Sequence, residues 1–232
     1  MKNLGYKIMV LALIIFLAAC EKDYDSFITK ITYYPTIELI GDQFMTQLVG
    51  EPFTDPGVIV KIGDEVSEPD EVTGTVDINT PGVYTITYSK VNEDGYSAAS
   101  QRFVGIIDPS VLDNDYTGEY QRTKYGSNTT PAGIAVWTKI TDGLYTNNNV
   151  GGVPDQAAYI YDVYVFNVIN NKIVVPKQPN KLGGVINCTS TIAGTDSDQI
   201  DFTPGPVGTE CYTWGVKGSG YGTNLRTFTR VN

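Results

Sequence analysis

Histidine is absent from this chain of 232 residues. That removes the commonest general base, the histidine-dependent serine and cysteine nucleophiles, and the side chain zinc most often uses. Cationic side chains are few: 16 Lys and Arg stand against 26 Asp and Glu, a formal net charge of −10. Neither half carries the basic patch that a phosphate backbone requires, so nucleic acid is not an expected partner. Helical periodicity is missing throughout, and short β-branched and aromatic runs broken by Gly, Pro, Asn and Asp point to an all-β chain. No apolar run is long enough to span a bilayer comfortably.

What is present begins with the longest apolar run, Ile8–Leu17, preceded by Lys2 and Lys7 and followed by Ala18 and Ala19. Residues 1–19 therefore read as a signal peptide. Leu17-Ala18-Ala19-Cys20 resembles the lipobox of bacterial lipoproteins. That resemblance implies acylation of Cys20, which becomes the first residue of the mature chain and ties it to outer-membrane lipid. A soluble secreted protein whose signal happens to end near a cysteine is the alternative. Residues 20–30 then form the lipidated N-terminus and a linker. Within them, Glu21-Lys22-Asp23-Tyr24-Asp25 resembles the acidic export signal of Bacteroidota-type surface lipoproteins. This implies an outer-membrane protein facing the cell exterior, against the alternative of a solvated linker facing the periplasm.

Only two cysteines remain, Cys188 and Cys211. In an oxidising compartment they are expected to form a disulfide; two buried thiols are the alternative. Charge is uneven: residues 21–108 hold 16 acidic and 5 basic side chains, and residues 109–232 hold 10 and 9.

Residues 31–108 read as the first domain. Ser26–Tyr34 is a candidate first strand, Val58–Ile62 and Val72–Val76 are others, and Val83–Val91 is the clearest. There Tyr84, Ile86 and Tyr88 alternate with Thr85, Thr87 and Ser89, which marks a strand with one buried face and assigns the tyrosines to a core. Asn92–Gly95 turns it into Ser97–Ile107. About seven such strands make a sandwich. Glu51-Pro52-Phe53-Thr54-Asp55-Pro56-Gly57-Val58, Gly82-Val83-Tyr84-Thr85-Ile86-Thr87-Tyr88, Asp94-Gly95 and Arg102-Phe103-Val104 resemble the bacterial surface immunoglobulin-like domains of unknown function. The resemblance implies an immunoglobulin-like β-sandwich that serves as a spacer near the anchor of polysaccharide-utilisation lipoproteins.

Residues 109–115 read as a polar linker, and residues 116–232 as a second all-β domain. Its expected strands are Gly118–Tyr125, Gly133–Ile140, Ala157–Ile169, Lys172–Pro176, Val185–Ala193, Gln199–Thr203, Thr209–Lys217 and Leu225–Val231. Sequential hairpins of that number favour an up-and-down β-barrel or a lipocalin-like half-barrel. Gly118-Glu119-Tyr120 and Leu225-Arg226-Thr227-Phe228-Thr229-Arg230 resemble, more weakly, the ends of lipocalin-like domains in the same lipoproteins.

No catalytic pair emerges. The second domain has only Glu119 and Glu210 as glutamates, and its aspartates sit mostly in turns, with no spacing that pairs two carboxylates about a scissile bond. The chain is expected not to be an enzyme and to need no cofactor. Asp196-Ser197-Asp198-Gln199-Ile200-Asp201 alternates oxygens but lacks the glycine and terminal glutamate of a calcium loop, so it reads as a solvated turn without metal. Gly218–Gly222 reads as a flexible hairpin loop. Aromatics are the remaining signal, because sugar rings pack their C–H faces on them. Trp137, Tyr145, Trp214 and Tyr221 are the candidate ligand-binding residues: the tyrosines as exposed platforms beside Asn- and Gly-rich loops, the tryptophans as walls of a pocket inside the barrel. Burial in the core is the alternative for each. The expected function is a cell-surface lipoprotein that binds glycan for a polysaccharide-uptake system. The alternative is a structural subunit that docks on an outer-membrane transporter complex and has no ligand of its own. A hydrolase using the second domain's carboxylates is a remote third.

Overall fold

The structure, a computed structural model, describes residues 30–195 and 198–232. The expected signal peptide and the lipidation site Cys20 lie outside the described residues, as do Asp196 and Ser197. Tyr34–Asn232 packs as one unit, within which two β-modules are distinct.

The first module has seven strands: β1 (Pro35–Leu39), β2 (Phe44–Leu48), β3 (Val58–Ile62), β4 (Glu65–Ser67), β5 (Glu71–Thr73), β6 (Gly82–Val91) and β7 (Ser97–Ile107). They form two sheets, β1-β3-β4 and β2-β7-β6-β5. The expected strand at residues 26–34 is not found in its described part, which is irregular from Lys30 to Tyr34. The strand begins instead at Pro35, on a sheet edge where a missing N–H costs no ladder bond. Ile86 and Tyr88 on β6 are buried with Val104 and Ile106 of β7, and Tyr84 packs against them. The alternation seen in the sequence is thus the core face of the sandwich.

Arg102 ties together much of the string that carries the immunoglobulin-like resemblance. It is fully buried, and its guanidinium donates to the carbonyls of Ile40 (2.8 Å), Gly57 (3.0 Å) and Asp42. Its Nε lies 3.0 Å from Asp55 Oδ1, and Tyr88 Oη donates to the other Asp55 oxygen. One cation therefore pins the β1–β2 turn and the Asp55–Gly57 turn against the sheet, and its burial is tolerated because every neighbour is an acceptor.

The second module closes into an eight-stranded barrel. Its strands are β8 (Gly118–Tyr125), β9 (Ile134–Thr141), β10 (Leu144–Asn147), β11 (Val163–Ile169), β12 (Lys172–Pro179), β13 (Val185–Thr189), β14 (Ile200–Thr203), β15 (Cys211–Lys217) and β16 (Leu225–Arg230). Neighbours follow chain order, all antiparallel, and β16 returns to β8. β13 and β14 share one place in the wall. Pro179 to Val175 of β12 pair with Val185 to Cys188, while Ile173 and Lys172 pair with Ile200 and Asp201. Residues 190–195 and 198–199 thus leave the wall as an excursion within one interrupted strand. This arrangement fits the expected up-and-down barrel.

Two strand boundaries differ from expectation, and one strand was not expected. Ala157–Tyr159 is a 3-10 turn, so the strand expected from Ala157 starts at Val163. The strand expected to run from Val185 to Ala193 stops at Thr189 where the excursion leaves. β10, four residues long, was hidden between a turn and an Asn-rich loop.

The two modules share a hydrophobic layer. Phe103 of β7 packs with Leu144, Phe166, Val168 and Val174 of the barrel wall, joined by Phe44 and Tyr164. The Phe44 ring lies between Tyr164 (3.8 Å) and Phe103 (5.0 Å), nearly parallel to both. Gly105 sits where a Cβ would fall 2.4 Å from the Phe166 ring, so only glycine allows this approach. The expected linker is part of the joint. Val111 is fully buried, Asp108 N donates to Val168 O (2.8 Å), and Asn114 Nδ2 donates to Asn167 Oδ1 and Asn170 O at 2.7 Å.

Candidate functional site

The barrel's two ends are built differently. At the end beside the first module, two hairpins are closed by the tight turns Asp142-Gly143 and Asn170-Asn171, and residues 204–210 form a longer third connection. At the opposite end, here the far rim, residues 126–133, 148–162, 180–184 and 218–224 form the connections. Long loops on a rigid wall are where binding residues concentrate.

The barrel interior is filled. Trp137, Tyr145 and Trp214 are completely buried, and Tyr221 is 4% exposed. Tyr145 and Tyr221 are therefore not the exposed platforms expected from their flanking loops. Trp137 Nε1 donates to Tyr212 Oη (2.9 Å), Trp214 Nε1 to Val150 O (2.9 Å), and Tyr145 Oη to Asn114 O (2.7 Å). The Trp137 ring meets Tyr212 at 5.2 Å and Trp214 at 6.0 Å, and Tyr221 meets Tyr159 edge-on at 5.2 Å. Their faces are spent on neighbouring rings and their polar tips on nearby acceptors, as aromatic packing prefers. The structure brings the two tryptophans and Tyr145 into one cluster and leaves Tyr221 as its cap at the far rim. Burial raises the phenol pKa of Tyr145, Tyr212 and Tyr221.

The expected disulfide is absent; both thiols are free. Cys188 pairs across with Val216, five residues along β15 from Cys211, which is about 17 Å at the strand rise. A disulfide needs Cα atoms within about 7 Å. The two also face opposite sides of the wall: Cys188 is buried in the barrel core, where burial pushes its thiol pKa up, and Cys211 is half-buried outside. Compartment alone could not reveal that register.

Carboxylates are tied down. Glu210 accepts from Tyr120 Oη and from Arg230 Nη1 (3.1 Å), whereas Glu119 is on the outer face of β8, beside inward-facing Tyr120. Asp198 accepts from Ser190 Oγ (2.8 Å) and Thr195 N (3.0 Å), fastening both ends of the excursion. Among the described residues no three Cys, Asp or Glu side chains gather as a metal site would need.

Two hollows remain. One, of about 550 Å³, lies at the joint between modules and is lined by Asp42, Gln43, Phe44, Met45, Ile140 and Tyr164 among others. The other, of about 520 Å³, lies below the far rim. The hairpin 180–184, the excursion and the β15 end enclose it, with Lys177, Asn180, Leu182, Val185, Asn187 and Lys217 on its walls. Lys217 Nζ donates to Ile192 O and holds the excursion down. Asn180 Oδ1 accepts from Leu182 N and Gly184 N at 2.9 Å and shapes the hairpin. Sequence reading assigned none of these residues to a binding site. A long polar hairpin and an interrupted strand were the available signals, and neither carries a motif.

Residues 37–106 match the family described as bacterial surface protein, Ig-like domain. The matched segment runs from β1 to β7 and contains Asp55, Tyr88 and Arg102, the buried ionic cluster of the first module. No curated protein matches the chain. Among solved structures, the crystal structure of the lipoprotein BT2262 from Bacteroides thetaiotaomicron aligns with 19% identity, over 85% of this chain and 100% of that chain, at a TM-score of 0.36.

Proposed function

We propose that this chain is a lipoprotein anchored through Cys20 to the outer membrane and facing the cell exterior, where its barrel binds glycan for a polysaccharide-uptake system without catalysing a reaction. The observation that carries this reading is the polar cleft at the far rim, where four connections including the long 148–162 loop gather, against two tight turns and the single loop 204–210 at the end joined to the Ig-like module. The matched segment, from a bacterial surface family, supports the location. The cleft offers ammonium and amide groups for hydroxyls and the branched side chains of Leu182 and Val185 for C–H faces.

One feature favours the docking alternative. Ile134, Val136 and Ile140 form an exposed row on the outer face of β9, at 44%, 36% and 54% exposure, and apolar rows of this kind mark protein contacts. Calorimetry against a panel of plant, host and microbial polysaccharides separates the two. Heat with at least one polymer is expected. No heat with any, together with co-purification with an outer-membrane porin that is lost in an Ile140→Glu variant, contradicts the glycan reading and supports docking.

A further inference from the structure

Cations are sorted along the barrel. Near the Ig-like end each basic side chain has a carboxylate partner: Lys139 with Asp142 (3.0 Å), Lys172 with Asp201, and Arg230 with Glu210 (3.1 Å). Toward the far rim stand Arg122, Lys124, Lys177, Lys181, Lys217 and Arg226, and none is in an ion pair among the described residues. Arg226 is buried, with its Nη atoms on the carbonyls of Asn224 and Tyr221. Arg122 Nη1 donates to Gly151 O (3.0 Å). The Tyr125 ring sits beside both guanidinium groups, at 5.3 Å and 5.0 Å. The Nε–H of each is buried without an acceptor.

Six of the barrel's nine cations thus stand toward the far rim, where the described carboxylates are Asp155 and Asp162 in the 148–162 connection and Asp198, whose oxygens are taken up by Ser190 and Thr195. Buried guanidinium groups in a low-dielectric wall project their charge outward rather than losing it to solvent. No described residue lining the cleft is a carboxylate. A cleft lined by one sign of charge focuses the field and concentrates ligands of the other.

We infer that the far-rim cleft selects an acidic polysaccharide, one bearing carboxylate or sulfate groups. Lys177 and Lys217, together with Lys181 on the adjoining hairpin, meet the anionic groups, and Leu182 and Val185 meet the sugar ring. This rests on the glycan reading above and narrows it. It also departs from the neutral ligand that the balanced charge of the second domain would suggest, because that balance hides two ends of different character.

The test uses the purified full chain with polygalacturonate, chondroitin sulfate and an uncharged galactan. Polygalacturonate or chondroitin sulfate is expected to bind and the galactan not, with affinity falling about tenfold between about 0.05 and 0.5 M salt. The variant Lys177→Gln/Lys181→Gln removes two exposed side chains that make no hydrogen bond among the described residues. It is expected to weaken binding about fivefold to tenfold, two exposed charge contacts together. Lys139→Gln, at the other end, is expected to leave affinity unchanged. Equal, salt-insensitive binding of galactan overturns the inference and leaves the glycan reading standing. No binding to any of the three, nor to the wider panel, overturns both. Binding to duplex DNA or anionic vesicles as tight as to the acidic polymers overturns the inference by showing mere charge attraction.

Discussion

At the scale of single residues, burial decides roles that residue type leaves open. Trp137 and Trp214 each donate an indole N–H inside the barrel and stack on neighbours, so their loss is a loss of core. Trp214→Ala is expected to cost about 3–5 kcal/mol in denaturant unfolding, the range for large aromatic truncations. A variant of unchanged midpoint would contradict its placement. Arg102→Ala is expected to cost a similar amount, about 3–5 kcal/mol, because it strands Asp55 and three carbonyls in the sandwich. The pH profile follows from the same environments. Hydrogen bonds from Ser110 hold the Asp108 pKa below the ordinary carboxylate value, and those from Thr195 and Ser190 do so for Asp198. Their contribution is present above about pH 4 and is lost as pH falls through their lowered values. Burial raises the barrel phenols, so the unfolded chain ionises first and stability falls as pH rises above about 10. With no histidine, a flat midpoint is expected between about pH 5 and 9 in thermal melts across buffers.

At the scale of elements, what was legible is what depends on local pattern. The alternation of Tyr84, Ile86 and Tyr88 named both a strand and its buried face, and Asn92–Gly95 named a hairpin. Strands with both faces covered gave no such clue. In β7, Arg102, Val104 and Ile106 face the sandwich while Phe103, Gly105 and Ile107 face the barrel. Nothing local says which apolar face meets which partner. β13 and β14 occupy one place in the wall, a fact of register that no window of sequence contains. The Cys188–Cys211 expectation failed for this reason: it used compartment and count, whereas a bridge depends on which residues lie across a ladder. Thiol labelling checks the correction. Denatured protein should react at both cysteines without prior reduction, and native protein at Cys211 well ahead of Cys188. The cleft was illegible in the same way, since its walls come from three separated connections.

At the scale of the whole molecule, the first module is more than a spacer threaded on a linker. The Tyr164–Phe44–Phe103 stack, Gly105 against Phe166 and the buried Val111 make the two β-modules one packed unit. A single cooperative thermal transition is expected for residues 34–232. Phe44→Ala, which removes the middle ring, is expected to cost about 3–5 kcal/mol and to split that transition into two. A joint this firm fixes the far rim relative to the Ig-like module, so that a ligand held at the rim is presented in one orientation.

The claim that joins these scales is that the far rim, and not the aromatic interior or the exposed face of β9, is where the molecule meets its glycan. Hydrogen exchange of the full chain, with and without saturating acidic polysaccharide, tests it most directly. Protection is expected in residues 180–184, 190–199 and 218–224, with the Ig-like strands and β9 unchanged. Protection confined to β9 and β2, or none anywhere at saturation, would contradict it.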